Sequence, residues 1–278
     1  MTGFRPTIAF LGAGSMGSAI LEGLLAAEGF EPAAVRVTNR TDASAAAREW
    51  PPVVTSLSLE SDPRANLLAV EGADVVVVGV KPHMVADLLG EIAPALAPGT
   101  VVVSVAAAVS TAAMEALLPE SVAVVRSMPN TPTAVGLGVT ALSRGTRTSD
   151  EQLALVTRIF EAVGSAPLVD ESRMDAVTGV SGSGPAYVYY MVESFIAGAE
   201  AQGFSREEAE GLVLQTFRGA LEMLSVTGRS PEQLRREVTS PNGTTERAIA
   251  VLQDARLPDV LTAAVEASAA RSRELSQS

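Results

Sequence analysis

Residues 7–17 have the sequence TIAFLGAGSMG, in which a short apolar run leads directly into three spaced glycines. The apolar run predicts a buried strand ending at Leu11, and the segment after the glycines predicts a helix. Gly12, Gly14 and Gly17 match the pattern G-x-G-x-x-G, which becomes meaningful when it joins a strand to a helix. This stretch therefore indicates the first strand-to-helix turn of an α/β fold.

The alternation of strands and helices continues through the first half of the chain. Five short apolar runs predict buried strands at Thr7–Leu11, Val35–Asn39, Val75–Val80, Val101–Val105 and Val122–Arg126. Helical stretches are predicted between them at Met16–Ala27, Asp42–Trp50, Arg64–Glu71, His83–Leu89 and Thr111–Leu117. Such alternation predicts a Rossmann-like, doubly wound, mostly parallel sheet with helices on both faces.

The pattern changes near Gly164, after which almost the whole chain is predicted to be helical. We expect a dinucleotide-binding domain at 1–164 and an all-α substrate-binding and dimerisation domain at 165–278. A helical domain of about 110 residues that is rich in Ala, Leu and Val has few ways to bury its apolar faces alone. Burial against a second copy is the natural solution, so a homo-oligomer is predicted.

Composition excludes several classes of function. The net charge of −12 argues against nucleic acid and anionic membrane surfaces as partners. The chain has no cysteine and one histidine, His83, so no metal site is predicted. The N-terminus does not resemble a signal peptide, and no apolar run approaches the ~20 residues of a membrane span. A cytoplasmic protein is expected.

The glycine turn predicts a dinucleotide site, because the turn and the helix N-terminus together hold a pyrophosphate. The second strand ends in Thr38-Asn39-Arg40-Thr41, without the carboxylate that usually binds the ribose 2′-hydroxyl of NAD. Arg40 can pair with a 2′-phosphate, so NADPH is favoured. The candidate cofactor residues here are Gly12, Ala13, Gly14, Ser15, Met16, Gly17, Asn39, Arg40 and Thr41.

Three more segments follow predicted strands, where ligands of open α/β sheets bind. They are Val80-Lys81-Pro82, Ser104–Ala108 and Met128–Pro132. Of the 20 cationic residues, 19 are Arg and the other is Lys81, which hints that this position requires an ammonium group.

Two glycine-rich segments of the helical half, Ser181–Tyr187 and Ser240–Thr245, resemble loop-to-helix junctions. Their free N–H groups and hydroxyls are suited to a small anion such as a carboxylate. No strong candidate for a general base is present, whereas alcohol dehydrogenation usually needs one. A C=N substrate needs little beyond hydride and orientation, so imine reduction is weakly favoured.

These motifs together resemble the pyrroline-5-carboxylate reductase family over essentially the full length of the chain. The blocks that carry the resemblance are Gly12–Gly17, Val80–Pro82, Met128–Pro132, Asp175–Gly179, Ser181–Tyr187 and Ser240–Thr245. The resemblance implies hydride transfer from NADPH, with NADH possible, to 1-pyrroline-5-carboxylate, giving proline in the last step of proline biosynthesis. It also implies a homodimer with swapped helical domains, often assembled into a homodecamer.

The resemblance also implies individual roles. Thr245 would face the ring nitrogen as proton donor or orienter, and Lys81 would lie along the nicotinamide half. Because Lys81 is the one lysine of the sequence, it is also a catalytic candidate. The implied substrate-binding residues are Ser181, Ser240, Gly243, Thr244 and Thr245. The additional implied cofactor-binding residues are Asn66, Val80, Lys81, Pro82, Ala106, Ala107, Ala108 and Asn130.

Three positions depart from the family pattern. Asn242 and Ala108 replace common glycines, and Asn tolerates a left-handed backbone better than most residues. Glu237 adds a negative charge near the substrate segment and is expected to point outward. Two alternatives stay open: a β-hydroxyacid dehydrogenase-like enzyme, although no lysine follows Lys81 to act in a second domain, and a non-catalytic NADP-binding regulator.

Overall fold

A computed structural model describes residues 5–277; residues 1–4 and 278, the outer ends of the predicted domains, lie outside it. Its strands are β1 Thr7–Leu11, β2 Ala34–Asn39, β3 Val54–Ser58, β4 Val75–Val78, β5 Val101–Ser104, β6 Ala123–Met128, β7 Gly138–Val139, β8 Ala141–Arg144 and β9 Gly164–Ser165. The helices that accompany the sheet are α1 Ser15–Ala26, α2 Asp42–Ala46, α3 Ala65–Val70, α4 Val85–Ile92, α5 Thr111–Glu115 and α6 Asp150–Glu161.

The central sheet of the described residues has seven strands in the order β3-β2-β1-β4-β5-β6-β8. All neighbours are parallel except β6 and β8, which are antiparallel. The order runs outward from β1 in both directions, which is the doubly wound arrangement. The predicted Rossmann-like fold is confirmed, and its point of reversal lies between β1 and β4.

The sheet is covered on both faces by apolar side chains. Ile8 and Phe10 belong to one buried cluster, and Ala9 and Leu11 belong to another. Because successive residues of a strand point to opposite faces, burial on both sides requires an uninterrupted apolar sequence. This requirement explains why β1 was recognisable from its sequence, with the same bounds as predicted.

Several elements differ from the predictions. Strand β3 was missed because its sequence, VTSLS, contains three hydroxyl residues and has no continuous apolar run. Strand β4 ends two residues early, since Gly79 already belongs to the turn and its N–H donates to the carbonyl oxygen of Leu11 at 2.8 Å. Helix α2 ends at Ala46 rather than Trp50.

The helical half contains α7 Met174–Val177, a π-helical segment Thr178–Gly182, α8 Gly184–Glu200, α9 Arg206–Thr227, α10 Pro231–Glu237, α11 Thr244–Asp254 and α12 Leu257–Gln277. The Ser205 capping box and the bounds of α11 are as predicted. Helix α10 was missed, although Ser230 and Gln233 form a capping box at its start. No helix within residues 5–277 combines the length and apolar character needed to cross a bilayer.

The chain divides into two compact units. The first unit runs to Ser183 and includes the segment from Ala267 onward, and the second is Gly184–Glu266. The first contains the sheet, and the second contains α8, α9, α10, α11 and the start of α12. The predicted boundary after residue 164 follows the change from strands to helices and remains a prediction.

Candidate active site

The turn after β1 is held in a narrow space by two glycines. Gly12 has a φ of 79°, and a Cβ added there would lie 2.7 Å from Cγ1 of Val80. A Cβ at Gly79 would lie 2.7 Å from the carbonyl oxygen of Gly12. Both positions therefore require glycine, and Gly79 was not selected from the sequence because it falls outside the G-x-G-x-x-G pattern.

Gly14 and Gly17 have different roles: Gly14 faces open space, and Gly17 allows close packing of α1 on the turn. Gly14 is the N-cap residue of α1, and a Cβ there would meet nothing within 4 Å. A Cβ at Gly17 would lie 3.3 Å from the carbonyl oxygen of Gly12, so Gly17 allows the helix to approach the turn. No side chain caps the start of α1 among the described residues, so its first N–H groups are available to an anion.

A cavity of about 870 Å³ opens beside this turn. It is lined by most of the predicted cofactor residues: Gly12, Ala13, Gly14, Ser15, Met16, Asn39, Arg40, Thr41, Asn66, Val80, Lys81, Pro82, Ala106 and Ala107. The other three predicted residues do not line the cavity. Gly17 lies against the carbonyl oxygen of Gly12, and Ala108 and Asn130 are buried outside the cavity. Further lining residues that were not predicted include Thr38, Ser44, Gly79, Met84, Asp87 and Glu91.

The end of β2 presents one free cation to the cavity. Arg40 is exposed and forms no ion pair or hydrogen bond with another residue of the described chain. The side chain of Asn39 instead donates to Oγ of Ser56 at 3.2 Å, and the Thr41 hydroxyl caps α2 by accepting from the N–H of Ser44. Of the three candidate cofactor residues at the end of β2, Arg40 is thus the one whose side chain forms no hydrogen bond or ion pair within the described chain.

Asn66 and two carboxylates also line the cavity. The Asn66 side chain donates from Nδ2 to the carboxylate of Glu91 at 3.2 and 3.3 Å, which leaves its Oδ1 as the acceptor. Asp87 lines the same cavity. No group of three or more metal-ligating side chains occurs in the part of the chain that the structure describes.

Only part of the two segments that follow β4 and β5 lines the cavity. Lys81 is exposed and unpaired among residues 5–277, and it lines the cavity together with Ala106 and Ala107. Ala108 has a φ of 66° and is buried outside the cavity. The left-handed backbone explains why glycine suits position 108, and the structure retains that backbone with alanine.

Ser181 is not part of a loop, contrary to the sequence interpretation. The segment Thr178–Gly182 is π-helical and continues the chain from α7 toward α8. The N–H of Ser183 donates to the carbonyl oxygen of Thr178 at 2.8 Å, which is the i to i+5 spacing of a π-helix, so helical hydrogen bonding continues through Ser183. The hydroxyl of Ser181 donates to the carbonyl oxygen of Val177 at 3.3 Å.

The Ser240–Thr245 segment is a tight turn that leads into α11. Asn242 has a φ of 60°, the left-handed conformation expected where the family often has glycine. The N–H of Gly243 donates to the carbonyl oxygen of Ser240 at 3.0 Å, so it is already used. No side chain caps α11 among the described residues, which leaves the N–H groups of Thr244 and Thr245 available to an anion.

Two nearby carboxylates are already engaged with other groups. Glu246 accepts from the N–H of Asn242 at 2.7 Å. Glu237 is exposed and pairs with Arg229 at 2.6 Å, so it points outward as expected.

Family models match both halves of the chain. Residues 171–275 match the model for pyrroline-5-carboxylate reductase dimerisation, and residues 7–108 match the model for coenzyme F420-dependent NADP oxidoreductases. The dimerisation model indicates that the helical half mediates oligomerisation.

Curated proteins and solved structures agree with these models. The chain is 38% identical to pyrroline-5-carboxylate reductase of Pseudomonas aeruginosa, covering 98% of this chain and 97% of that protein. It is 39% identical to the enzyme of Corynebacterium melassecola, covering 97% and 98% respectively. The solved reductase of Coxiella burnetii has a TM-score of 0.87 at 36% identity, covering 99% of this chain and 100% of the other.

A second solved structure contains a bound cofactor. The Plasmodium falciparum pyrroline carboxylate reductase, solved with NADP bound, has a TM-score of 0.86 at 27% identity and covers 99% of this chain and 100% of the other. On the strength of these full-length similarities, the chain belongs to the pyrroline-5-carboxylate reductase family.

Proposed function

We propose that the protein reduces 1-pyrroline-5-carboxylate to L-proline with NADPH, the last step of proline biosynthesis. The observation that carries the proposal is the cavity beside the glycine turn, where Gly12 and Gly79 clear the backbone, Gly14 leaves open space and Arg40 is unpaired. These features fit a phosphorylated dinucleotide. Bound there, NADPH supplies a hydride to the carbon of the C=N bond.

The residues of the chain would hold the cofactor by complementary charge. The N–H groups at the start of α1 would receive the pyrophosphate, and Arg40 would pair with the 2′-phosphate. Asn66 would contact the adenosine end through its Oδ1. Val80–Pro82 and Ala106–Ala107 would lie along the nicotinamide half, where Lys81 adds positive charge.

The residues of the helical half would orient the substrate. The free N–H groups of Thr244 and Thr245 suit the substrate carboxylate, with Ser181, Ser240 and Gly243 as further contacts. The C=N carbon gains the hydride and the ring nitrogen keeps or receives one proton, giving the secondary amine of proline. The Thr245 hydroxyl would donate or orient at that nitrogen.

An activity assay tests the proposal directly. NADPH oxidation should depend on added 1-pyrroline-5-carboxylate, and proline should accumulate in equal amount. Absence of turnover at high enzyme concentration would leave the non-catalytic regulator as the better account. Turnover of a β-hydroxyacid in place of the imine would favour the dehydrogenase alternative, which the family assignment does not support.

Cofactor preference is tested at Arg40. Replacing it with alanine should raise the Kd of NADPH by about tenfold to a hundredfold, since a charged hydrogen-bonding pair contributes about 1.5–3 kcal/mol, and should leave the Kd of NADH nearly unchanged. Arg48→Ala is the matched control, because Arg48 is also exposed but pairs with Glu22 at 2.8 Å. An unchanged ratio of the two Kd values in Arg40→Ala would exclude Arg40 as the 2′-phosphate ligand.

We further propose that the molecule is a cytoplasmic homodimer that assembles into a homodecamer. The family model for residues 171–275 and the exposed apolar side chains of the second unit support association. The decamer and the cytoplasmic location rest on the family resemblance and on the composition. The mass in solution by light scattering tests the assembly.

A further inference from the structure

The side chain of Asn130 is occupied by protein groups on both sides. Its Oδ1 accepts from the N–H of Val139 at 2.9 Å, and its Nδ2 donates to the carbonyl oxygen of Ser181 at 3.1 Å. The opposite amide orientation would place an N–H against an N–H and an oxygen against an oxygen, so these partners fix it. Asn130 is also 7% exposed and does not line the cofactor cavity.

The carbonyl group of Ser181 lies where the π-helical segment Thr178–Gly182 passes into α8, which begins at Gly184. In an α-helix it would accept from the N–H four residues later, at position 185. That residue is Pro185, which has no N–H to give. An α-helical hydrogen bond to this carbonyl is therefore not possible, and the Asn130 amide is a side-chain donor to it.

The backbone around both partners is closely packed. The carbonyl oxygen of Asn130 accepts from the N–H of Thr133 at 3.2 Å and from its hydroxyl at 2.9 Å, which fixes the residue that makes the link. On the other side, a Cβ at Gly182 would lie 2.5 Å from Cε of Met128. The end of β6 therefore meets the π-helical segment at two adjacent points.

π-Helical turns are rare and often occur at functional sites. Here the turn carries Ser181, and the residue that donates to it, Asn130, is one that the family resemblance implies as cofactor-binding. We infer that Asn130 is a positioning residue that sets the Ser181 turn against the end of β6, and that it is not a cofactor ligand. This inference rests on the proposed function, in which Ser181 contacts the substrate.

The substitution Asn130→Asp separates the two roles because it keeps an acceptor for Val139 and removes the donor to Ser181. We expect the KM for 1-pyrroline-5-carboxylate to rise and kcat/KM to fall about 10- to 100-fold, since small displacements of a binding group have effects of this size. The Kd of NADPH, measured by fluorescence without substrate, should stay within about twofold of wild type. The comparison variant Asn66→Ala, which removes the Oδ1 proposed to contact the adenosine end, should instead raise the Kd of NADPH.

The outcomes are distinguishable. A larger effect of Asn130→Asp on the Kd of NADPH than on the KM would overturn the inference, and so would unchanged values of both. If that variant does not fold, Asn130→Ala removes the same donor without adding a charge and should likewise raise KM with unaltered NADPH binding; an unchanged KM would contradict the inference. An inactive wild type would contradict the proposed function itself, whereas an active wild type with an unaffected variant contradicts only the role of Asn130.

Discussion

Thr245 carries the hydroxyl that the proposed reaction places next to the ring nitrogen. It lies in the first turn of α11, which has no side-chain cap within the described chain. If the hydroxyl assists proton delivery, Thr245→Ala should lower kcat/KM about 10²- to 10⁴-fold. Thr245→Ser, which retains the hydroxyl, should keep most of the activity. A loss below about threefold in the alanine variant would assign Thr245 to positioning or to no role.

Of the glycines in the β1 turn, we expect Gly12 to matter for folding stability and Gly14 for cofactor binding. Gly12→Ala should destabilise the fold by about 1–2 kcal/mol or more, because Gly12 has a positive φ and a Cβ there would press on Val80. Gly14→Ala should lower the urea midpoint less than Gly12→Ala does, since its Cβ meets no protein atom within 4 Å and only the N-cap preference for glycine is lost, but it should weaken NADPH binding. Equal NADPH affinity of Gly14→Ala and wild type would show that this open space is not used by the cofactor.

At the scale of elements, α9 has a pH-sensitive N-terminus. Glu208 accepts hydrogen bonds from the N–H and the hydroxyl of Ser205, which lower the pKa of its carboxyl group below the ordinary 4.5. A lowered folded-state pKa stabilises the folded state above the ordinary pKa, and this contribution is lost as the pH falls through the lowered value. The start of α9 should therefore loosen in acid.

Replacing Ser205 tests this cap. Ser205→Ala should cost about 1 kcal/mol of stability at pH 7, as removal of an N-cap usually does. The difference in Tm from wild type should begin to narrow as the pH falls below the ordinary pKa of 4.5 and should narrow further as the pH passes through the lowered pKa of Glu208. Ser225→Ala, within the same helix, removes a hydroxyl that donates only to the carbonyl oxygen of Leu221, and its effect should not vary with pH. A Ser205→Ala difference in Tm that stays constant from pH 7 down to the onset of acid unfolding would contradict the linkage.

The elements that could be predicted are those whose signal is local. Strand β1 is buried on both faces and helix α11 follows a recognisable turn, and both were placed with correct bounds. Strand β3 was missed because its sequence is polar and it forms by pairing with β2. That pairing leaves no pattern in the local sequence. Helix α10 was missed although its capping signal at Ser230 was present.

The candidate site shows the same division. The residues of the glycine turn and Arg40 line the cavity as their sequence pattern indicates. The commitments of Asn39 to Ser56 and of Asn130 to Ser181 depend on residues 17 and 51 positions away. Sequence reasoning can name such a polar side chain but cannot tell whether a ligand or the protein itself uses it.

At the scale of the molecule, the second unit has little core of its own. Its buried apolar cluster consists of Ile196, Ala209 and Val213. Large apolar side chains on its two long helices are instead exposed, with Tyr190 of α8 at 71% and Val226 of α9 at 74%. Exposed apolar area of this extent is typical of a subunit interface, in agreement with the dimerisation model that matches residues 171–275.

Association should therefore fail when charge is placed on these helices. The wild type should have at least the mass of a dimer by light scattering at micromolar concentration. Tyr190→Glu and Val226→Glu, combined in one chain, should shift the mass toward the monomer, because a carboxylate buried in an interface has no partner. Leu117→Glu, at a residue 43% exposed beyond α5 in the first unit, should leave the mass unchanged. If the double variant folds by circular dichroism yet keeps the wild-type mass, α8 and α9 do not form the interface through these residues.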